Sequence, residues 1–183
     1  MHQRNKMGRS GMLVILAAIG VLAMSSPTLS QTPDPAQKSD PVNRPAISKR
    51  EPFDPKRDAK SDLAAAITKA TADKKRIILD IGGEWCGWCK YMDEFFAADP
   101  ELTHARNTNY VWLKINYSEE NENREFLAAY PNIPGYPHLF VLDADGKLVQ
   151  SQDTSAFERG PKYSASAILE FLNKWAPQQK SSR

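Results

Sequence analysis

The sequence predicts an α/β fold in which a mixed β-sheet carries helices on both faces. In its first part, segments with helical spacing of apolar residues alternate with short runs rich in β-branched residues, an order typical of parallel strands. Near the end, two strand-like runs flank residues 143–146 (DADG), which predicts an antiparallel hairpin at the sheet edge. A chain of 183 residues, 41% of them hydrophobic, can bury one ordinary core.

Residues 1–57 are predicted to lie outside this core. A start with three positive charges precedes an uncharged apolar run over residues 12–24, which is shorter than the ~20 residues needed to span a bilayer. We therefore expect residues 1–30 to be a secretory signal peptide and the protein to be periplasmic or secreted. If this segment is not cleaved, it would instead tether the protein to a membrane.

Residues 31–57 are polar and rich in proline, a composition that predicts a mostly disordered tether. A docking strand around residues 46–53 is a less favoured alternative for part of this segment. Removal of residues 1–30 would delete three positive charges and no negative ones, which changes the formal net charge from +2 to −1. A nearly neutral protein lacks the basic surface of nucleic-acid-binding proteins, so we expect no nucleic-acid partner.

The folded domain is predicted to span residues 58–176. Ser61 or Asp62 can cap a first helix that runs to about residue 73 with apolar residues along one face. Residues 76–81 then form the kind of apolar, β-branched run that is expected of a buried central strand, and a glycine pair ends it.

The next helix is predicted to begin at Cys86 and to stop before Pro100, because the residue before a proline disfavours helical geometry. Residues 110–116 (YVWLKIN) follow as a second strand. Residues 119–130 are predicted to form a third helix, which Pro131 ends.

The last elements are the hairpin and a closing helix. Residues 138–142 and 147–150 are predicted to be its two antiparallel strands. Residues 164–175 have the periodicity of an amphipathic helix, and residues 177–183 are a polar tail.

The stretch GEWCGWCK holds the two cysteines of the chain, Cys86 and Cys89. A disulfide between them closes so small a loop that it would remove little chain entropy and would be a poor structural staple. At a helix start, unpaired N–H groups and the helix dipole would stabilise the thiolate of Cys86, whereas Cys89 lies one turn deeper and should be more protonated. This asymmetry favours a redox pair in which Cys86 attacks a substrate disulfide and Cys89 resolves the mixed disulfide.

Metal and haem sites fit this pair less well. A structural zinc site needs four Cys or His ligands, whereas the chain offers two cysteines and three histidines, of which His2 lies in the predicted signal peptide. Haem attachment requires a histidine directly after the second cysteine, where the chain has Lys90. We therefore expect no cofactor, with a copper-handling or binding module that uses Cys86, Cys89 and His138 as the alternative.

Three separated motifs accompany the cysteines. Residues 85–90 (WCGWCK) contain both thiols, Asp80 precedes Cys86 by six residues at the end of a predicted strand, and Tyr136 is followed by Pro137. In these features the chain resembles the thioredoxin superfamily over about residues 58–176, with its WCxxCK motif, its buried acid and its cis-proline segment. The Gly-Trp dipeptide between the cysteines differs from the Gly-Pro of the common cytosolic reductases, and the exported chain looks more like the thioredoxin-like proteins of the bacterial envelope.

The resemblance implies a thiol–disulfide oxidoreductase that acts on protein disulfides. It implies that Asp80 is a buried acid with a raised pKa that accepts the proton of Cys89. Trp85, Tyr136 and Pro137 are expected to contact the substrate chain. The Tyr136–Pro137 peptide bond is expected to be cis, which would put the Tyr136 backbone where it can pair with an extended substrate segment. Reduction is favoured over oxidation, because no histidine lies between the cysteines.

Such a pair also needs a source of electrons. We expect a second dithiol protein, which could be embedded in the membrane, to exchange electrons with this chain, and we expect the chain itself to be a monomer. Glu84 and Lys90, which flank the motif, are expected to be solvated charges rather than catalytic groups.

Overall fold

The computed structural model of the chain describes residues 50–178. The predicted signal peptide (residues 1–30), residues 31–49 of the predicted tether and the last residues of the tail lie outside the described residues. Among residues 50–178, no helix is both long enough and apolar enough to cross a membrane.

Four strands form the predicted mixed sheet in the order β2-β1-β3-β4. The central strand β1 pairs in parallel with β2 and antiparallel with β3, and β3 pairs antiparallel with β4. The parallel pair and the antiparallel edge confirm the fold class that the order of elements predicts. The strands are β1 (Arg76–Gly82), β2 (Tyr110–Asn116), β3 (His138–Leu142) and β4 (Leu148–Asp153).

Among residues 50–178, five helices accompany this sheet. They are α1 (Ala59–Asp73), α2 (Gly87–Ala98), α3 (Pro100–Asn109), α4 (Arg124–Leu127) and α5 (Ala165–Lys174). A 3-10 turn (Thr154–Phe157) and a small hairpin of β5 (Glu158–Arg159) with β6 (Lys162–Tyr163) precede the last helix.

The two faces of the sheet are buried in separate apolar clusters. Ile78 of β1 packs in one cluster with side chains of α2, α3 and α5. Ile77, Leu79 and Ile81 pack in the other, which includes alanines of α1 and Phe126 of α4. Because successive side chains of a strand point to opposite faces, these memberships place even-numbered β1 residues toward α2 and odd-numbered ones toward α1.

The helix α3 was not predicted from the sequence. Asp99 caps it by accepting hydrogen bonds from the backbone N–H groups of Glu101 and Leu102, at 2.9 and 3.1 Å. Pro100 occupies the first turn, where the missing N–H costs nothing. The proline that ends α2 therefore also starts α3, and the sequence pattern indicated only the first of these effects.

The helix predicted over residues 119–130 is wrong in its extent, since only α4 is helical there. Asn123 adopts left-handed backbone geometry with φ of 48°, so a right-handed helix cannot run through this residue and α4 starts only after it. The side chain of Asn123 donates to the carbonyl of Asn116 at 2.7 Å, and its backbone N–H donates to the Asn121 side chain at 3.0 Å. Asparagine side chains thus form hydrogen bonds with backbone groups of this loop, and these bonds take the place of the backbone hydrogen bonds of a longer helix.

The packed part of the chain begins before residue 58. Phe53 is 1% exposed and lies in a cluster with the two cysteines. Asp58, rather than Ser61 or Asp62, caps α1, because its carboxylate accepts from the Ser61 N–H at 2.6 Å. Residues 50–57 thus precede α1 as a segment that is held against the domain.

Candidate active site

Cys86 is the N-cap residue of α2 and forms a disulfide with Cys89. Its sulfur accepts a hydrogen bond from the Cys89 N–H at 3.1 Å, and its own N–H donates to the Gly83 carbonyl at 3.0 Å. The two residues are 4% and 2% exposed, respectively. After reduction, the same N–H and the positive end of the helix dipole would favour the thiolate at Cys86 over that at Cys89.

Asp80 lies on β1, on the face of the sheet that carries α2. It shares this face with Gly82, two residues further along the strand, and a Cβ atom added to Gly82 would lie 2.6 Å from the Cys89 sulfur. The Asp80 side chain therefore lies on the same face of β1 as Gly82, two residues before the point where the strand meets the Cys89 sulfur. The sequence-predicted acid and the cysteines thus occupy the same side of the sheet.

The carboxyl group of Asp80 is buried and only partly hydrogen-bonded. Its Oδ2 accepts from the indole N–H of Trp112 at 3.1 Å, while its Oδ1 meets no hydrogen-bond donor among residues 50–178. Burial raises its pKa to about 6, against the opposing attraction of the Lys114 ammonium. A carboxyl group with such a pKa can both accept and release a proton near neutral pH.

Lys114 and Asp93 form a buried ion pair beside this acid, which sequence reasoning missed. Lys114 on β2 is the register partner of Asp80, and its Nζ lies 2.5 Å from the Asp93 carboxylate on α2. The signal in the sequence was a lone lysine inside the apolar strand YVWLKIN, since a buried lysine requires a partner. The pair places a positive charge on β2 and a negative charge on α2, and both act on the pKa of Asp80.

The Tyr136–Pro137 peptide bond is cis, as the sequence predicts. Tyr136 packs against the cluster formed by Phe53, Cys86 and Cys89, so this segment adjoins the disulfide. The Pro137 carbonyl accepts a hydrogen bond from the Thr154 hydroxyl at 2.6 Å, which anchors this segment to the 3-10 turn after β4.

An aromatic surface extends from the cysteine motif. Trp85 is 59% exposed, and its ring meets that of Tyr136 edge-on at 5.5 Å. Tyr136 in turn stacks on Tyr117 at 4.9 Å, and the Trp85 N–H donates to the Tyr117 carbonyl at 2.6 Å. Trp85 and Tyr136, both predicted substrate contacts, are thereby joined to Tyr117, which the sequence analysis did not select.

Glu84 is not the solvated charge expected from the sequence. Its carboxylate forms an ion pair with Arg50 and also accepts the backbone N–H of Phe53 at 2.9 Å. The Arg50 hydrogen bond is the main reason that the pKa of Glu84 lies below its ordinary value. Arg50 reaches Asp93 as well, at 3.2 Å, so one guanidinium connects the residue before the motif to the helix after it.

His138 lies on the other face of the sheet from Asp80. It is the register partner of Ile81, its Nε2 is 2.8 Å from the Ser151 hydroxyl, and burial lowers its pKa. Within residues 50–178, no group of three or more Cys, His, Asp or Glu side chains is arranged to hold a metal ion. The geometry therefore does not unite His138 with the cysteines as the copper alternative requires.

Trp88, the second tryptophan of the motif, faces the body of the domain. Its ring contacts Tyr163 at 5.0 Å and Tyr91 at 5.6 Å. It therefore packs on the side of α2 that joins the β5–β6 hairpin, away from the Trp85 surface.

Comparisons with known proteins agree with this geometry. Residues 58–144 match the model of a protein family described as thioredoxin-like. Over 107 residues the chain is 28% identical to the thiol:disulfide interchange protein DsbD of Colwellia psychrerythraea. This match covers 57% of this chain and 17% of that protein. Over 93 residues it is 28% identical to the disulfide bond reductase DsbH of Chlamydia pneumoniae, and this match covers 46% of this chain and 55% of that protein.

A solved structure of a disulphide isomerase from Xylella fastidiosa matches this chain with a TM-score of 0.60 and 24% identity. The match covers 69% of this chain and 98% of that one, and it confirms the predicted fold. The chain spans 17% and 55% of the lengths of the two relatives named above.

Proposed function

We propose that this chain, in which residues 58–144 form a thioredoxin-like domain, is a thiol–disulfide oxidoreductase that exchanges disulfides with protein substrates. The observation that carries the proposal is the buried Cys86–Cys89 disulfide at the N-terminus of α2, with the carboxyl group of Asp80 on the same side of the sheet. The relatives named as a thiol:disulfide interchange protein and a disulfide bond reductase support the same reaction class.

The reaction proceeds in two exchanges. The Cys86 thiolate attacks one sulfur of a substrate disulfide, which forms a mixed disulfide and releases the other substrate sulfur as a thiolate that takes up a proton. Cys89 then transfers its proton to Asp80, directly or through water, and its thiolate attacks the Cys86 sulfur. The Cys86–Cys89 disulfide forms, the second substrate sulfur leaves as a thiolate, and two electrons have passed to the substrate.

The substrate chain lies, in this proposal, along Tyr136 and Pro137 with side chains on the Trp85 surface. The exposure of Trp85 and the packing of Tyr136 against the cysteine cluster support this role. An extended segment at this edge could pair with the backbone of Tyr136 while its cysteine meets Cys86.

The direction that we propose is reduction of the substrate. Each reduction of a substrate leaves Cys86 and Cys89 joined as a disulfide, so a separate dithiol protein must return two electrons to this pair. We propose that this donor is embedded in the membrane, that the protein works in the periplasm after removal of residues 1–30, and that it acts as a monomer. N-terminal sequencing of the exported protein tests the cleavage, since a chain that still begins at Met1 would contradict it.

Trapping of mixed disulfides tests the proposed reaction. Replacement of Cys89 by Ser leaves Cys86 able to attack but removes the resolving thiol, so substrates should accumulate as complexes that are dissolved by reductant. The matched control is Cys86→Ser, which keeps one cysteine but should trap far less. Equal trapping by the two variants, or reduction of an insulin-type disulfide by neither the wild-type dithiol nor its mixtures with reductant, would refute the proposal.

A further inference from the structure

We propose that Phe53 is a positioning residue that seals Cys89 from solvent, and that Glu84 and Arg50 hold it in that place. The inference rests on the proposed exchange at Cys86 and adds to it a residue that lies outside both the cysteine motif and the region matched by the family model. Phe53 precedes that region by five residues in sequence, yet it is 1% exposed and packs against both cysteines.

The ring of Phe53 occupies the space next to the Cys89 sulfur. A Cβ atom added to Gly82 would lie 2.6 Å from this sulfur and 3.0 Å from the Cζ atom of Phe53. The sulfur and the ring therefore meet above the same glycine of β1. The Nζ atom of Lys114 lies 4.2 Å from the centre of the same ring, in the geometry of a cation–π contact.

Phe53 belongs to neither of the two main apolar clusters. The fully buried members of its own cluster are Phe53, Cys86 and Cys89, with Trp88 and Tyr136 partly buried beside them. An aromatic ring of the general core would instead join the clusters on either face of the sheet. The apolar burial of Phe53 is therefore directed at the cysteine pair.

Four polar contacts hold the segment around this ring. The Phe53 N–H donates to Glu84, and Arg50 forms ion pairs with both Glu84 and Asp93. On the other side, the Asn121 amide donates to the Pro55 carbonyl at 2.9 Å. Since Glu84 lies two residues before Cys86, the loop that presents the thiol also fixes the ring that covers its partner.

Exclusion of water from Cys89 disfavours its thiolate, because a desolvated thiol holds its proton to higher pH. The resolving sulfur then stays unreactive toward outside reagents until a mixed disulfide has formed on Cys86. At that point Cys89 gives its proton to Asp80 and attacks the Cys86 sulfur as described above. The charged groups that face this region are Asp80 on β1, Lys114 on β2, Asp93 on α2, and Glu84 with Arg50 in the flanking segments.

The test measures the reactivity of Cys89 alone. In the full chain with Cys86→Ser, Cys89 is the single thiol, and its alkylation by iodoacetamide is followed from pH 5 to 10. Adding Phe53→Ala should speed alkylation at pH 7 by about tenfold or more and lower the midpoint of the pH profile by about one unit, because water reaches the sulfur. Phe53→Leu, which keeps an apolar side chain there, should restore most of the slow rate.

Two further variants keep the test decisive. Phe171→Ala removes a buried phenylalanine of α5, which packs against Phe157, and should leave the alkylation profile of Cys89 unchanged. If Phe53→Ala does not fold, Arg50→Ala replaces it, since this change keeps the ring and removes the anchor, and it should speed alkylation several-fold. A folded Phe53→Ala or Arg50→Ala chain with the parent profile would overturn the proposal, as would equal acceleration by Phe171→Ala.

The outcome is separate from that of the proposed function. Alkylation of Cys89 uses no disulfide substrate, so a sealed Cys89 in a chain that reduces no protein disulfide would refute only the exchange reaction. An active reductase whose Cys89 reacts at the same rate with and without the ring would refute only the seal.

Discussion

Asp80 and Lys114 face each other across the parallel strands β1 and β2, and both side chains are almost completely buried. The ammonium of Lys114 nevertheless has its closest contact with Asp93 on α2. Asp80 therefore shares the positive charge without an ion pair of its own, and burial raises its pKa to about 6. The buried Asp80 carboxylate should lower the stability of the folded protein at neutral pH, and it should also be able to take up the proton of Cys89. Each effect gives its own prediction.

Replacement of Asp80 by Asn should stabilise the protein at pH 7. Because the folded-state pKa lies above the ordinary value of 3.8, the folded protein binds the proton more tightly, so stability is present below about pH 4 and is lost as the pH rises through 6. Asp80→Asn should increase the free energy of unfolding by about 1–3 kcal/mol at pH 7 and by much less at pH 4.

Urea denaturation of the two proteins at both pH values measures this difference. Asp145→Asn, which changes an exposed carboxylate in the turn before β4, is the control and should have no such effect. A variant less stable than wild type at pH 7 would show that the Asp80 charge is well compensated.

The same Asp80→Asn change should slow resolution of the mixed disulfide. Without a carboxylate to take the proton of Cys89, the rate at which the substrate thiol is released from the mixed disulfide should fall by about 100-fold, which is within the range of general-base effects. The wild-type rate should rise through about pH 6, where Asp80 ionises, and the variant should lack this inflection. Stopped-flow reaction of a preformed mixed disulfide on Cys86 measures both quantities, and an unchanged rate would remove Asp80 from the mechanism.

Lys114→Met should move this inflection to higher pH. Among the groups that lower the pKa of Asp80 the ammonium has the largest effect, so its removal leaves burial opposed mainly by the Trp112 hydrogen bond and the charge of Arg106, and the pKa should rise by about one unit. Arg50 still pairs with Asp93 in this variant, which limits the loss of stability. The pH dependence of the resolving step gives the shift, with the exposed Lys147→Met as a control for the loss of one positive charge.

Trp85→Ala should weaken the use of protein substrates with little effect on folding. Trp85 is mostly exposed, so the free energy of unfolding should change by about 1 kcal/mol or less. Loss of an aromatic contact should raise KM for a protein disulfide about tenfold, while the rate with a small disulfide stays the same. Leu148→Ala removes the other large exposed apolar side chain among residues 50–178 and should change neither quantity.

The sequence was sufficient for those parts of the site that depend on local spacing. Cys86 lies at the helix start that its neighbours predict, and Asp80 lies at the end of an apolar strand whose alternation puts it beneath α2. The partners of these residues come from far along the chain. Phe53 meets Cys89 across 36 residues of sequence, and Lys114 meets Asp93 across 21, so no local pattern contains them.

Charged residues illustrate why such contacts are hard to predict. The residues next to Glu84 in the sequence give no sign that it is paired, so it looks like an ordinary surface charge. Its ion pair with Arg50 depends on where the segment before α1 packs against the domain. The extent of α4 was missed for a related reason, since the hydrogen bonds of Asn123 to a preceding strand outweigh helical periodicity.

Gly82→Ala should destabilise the domain, whereas the matched change Gly87→Ala should not. The new Cβ at residue 82 would lie 2.6 Å from the Cys89 sulfur and 3.0 Å from the Phe53 ring, so the sulfur or the ring must move. Overpacking of this kind costs about 1–3 kcal/mol, and the displaced ring should also expose Cys89. At Gly87, in the first turn of α2, a Cβ meets no atom within 4 Å, and alanine should be neutral or stabilise the helix by up to about 1 kcal/mol. Thermal denaturation of the two oxidised variants measures this contrast, and equal melting temperatures would mean that the space above Gly82 is not filled by the sulfur and the ring.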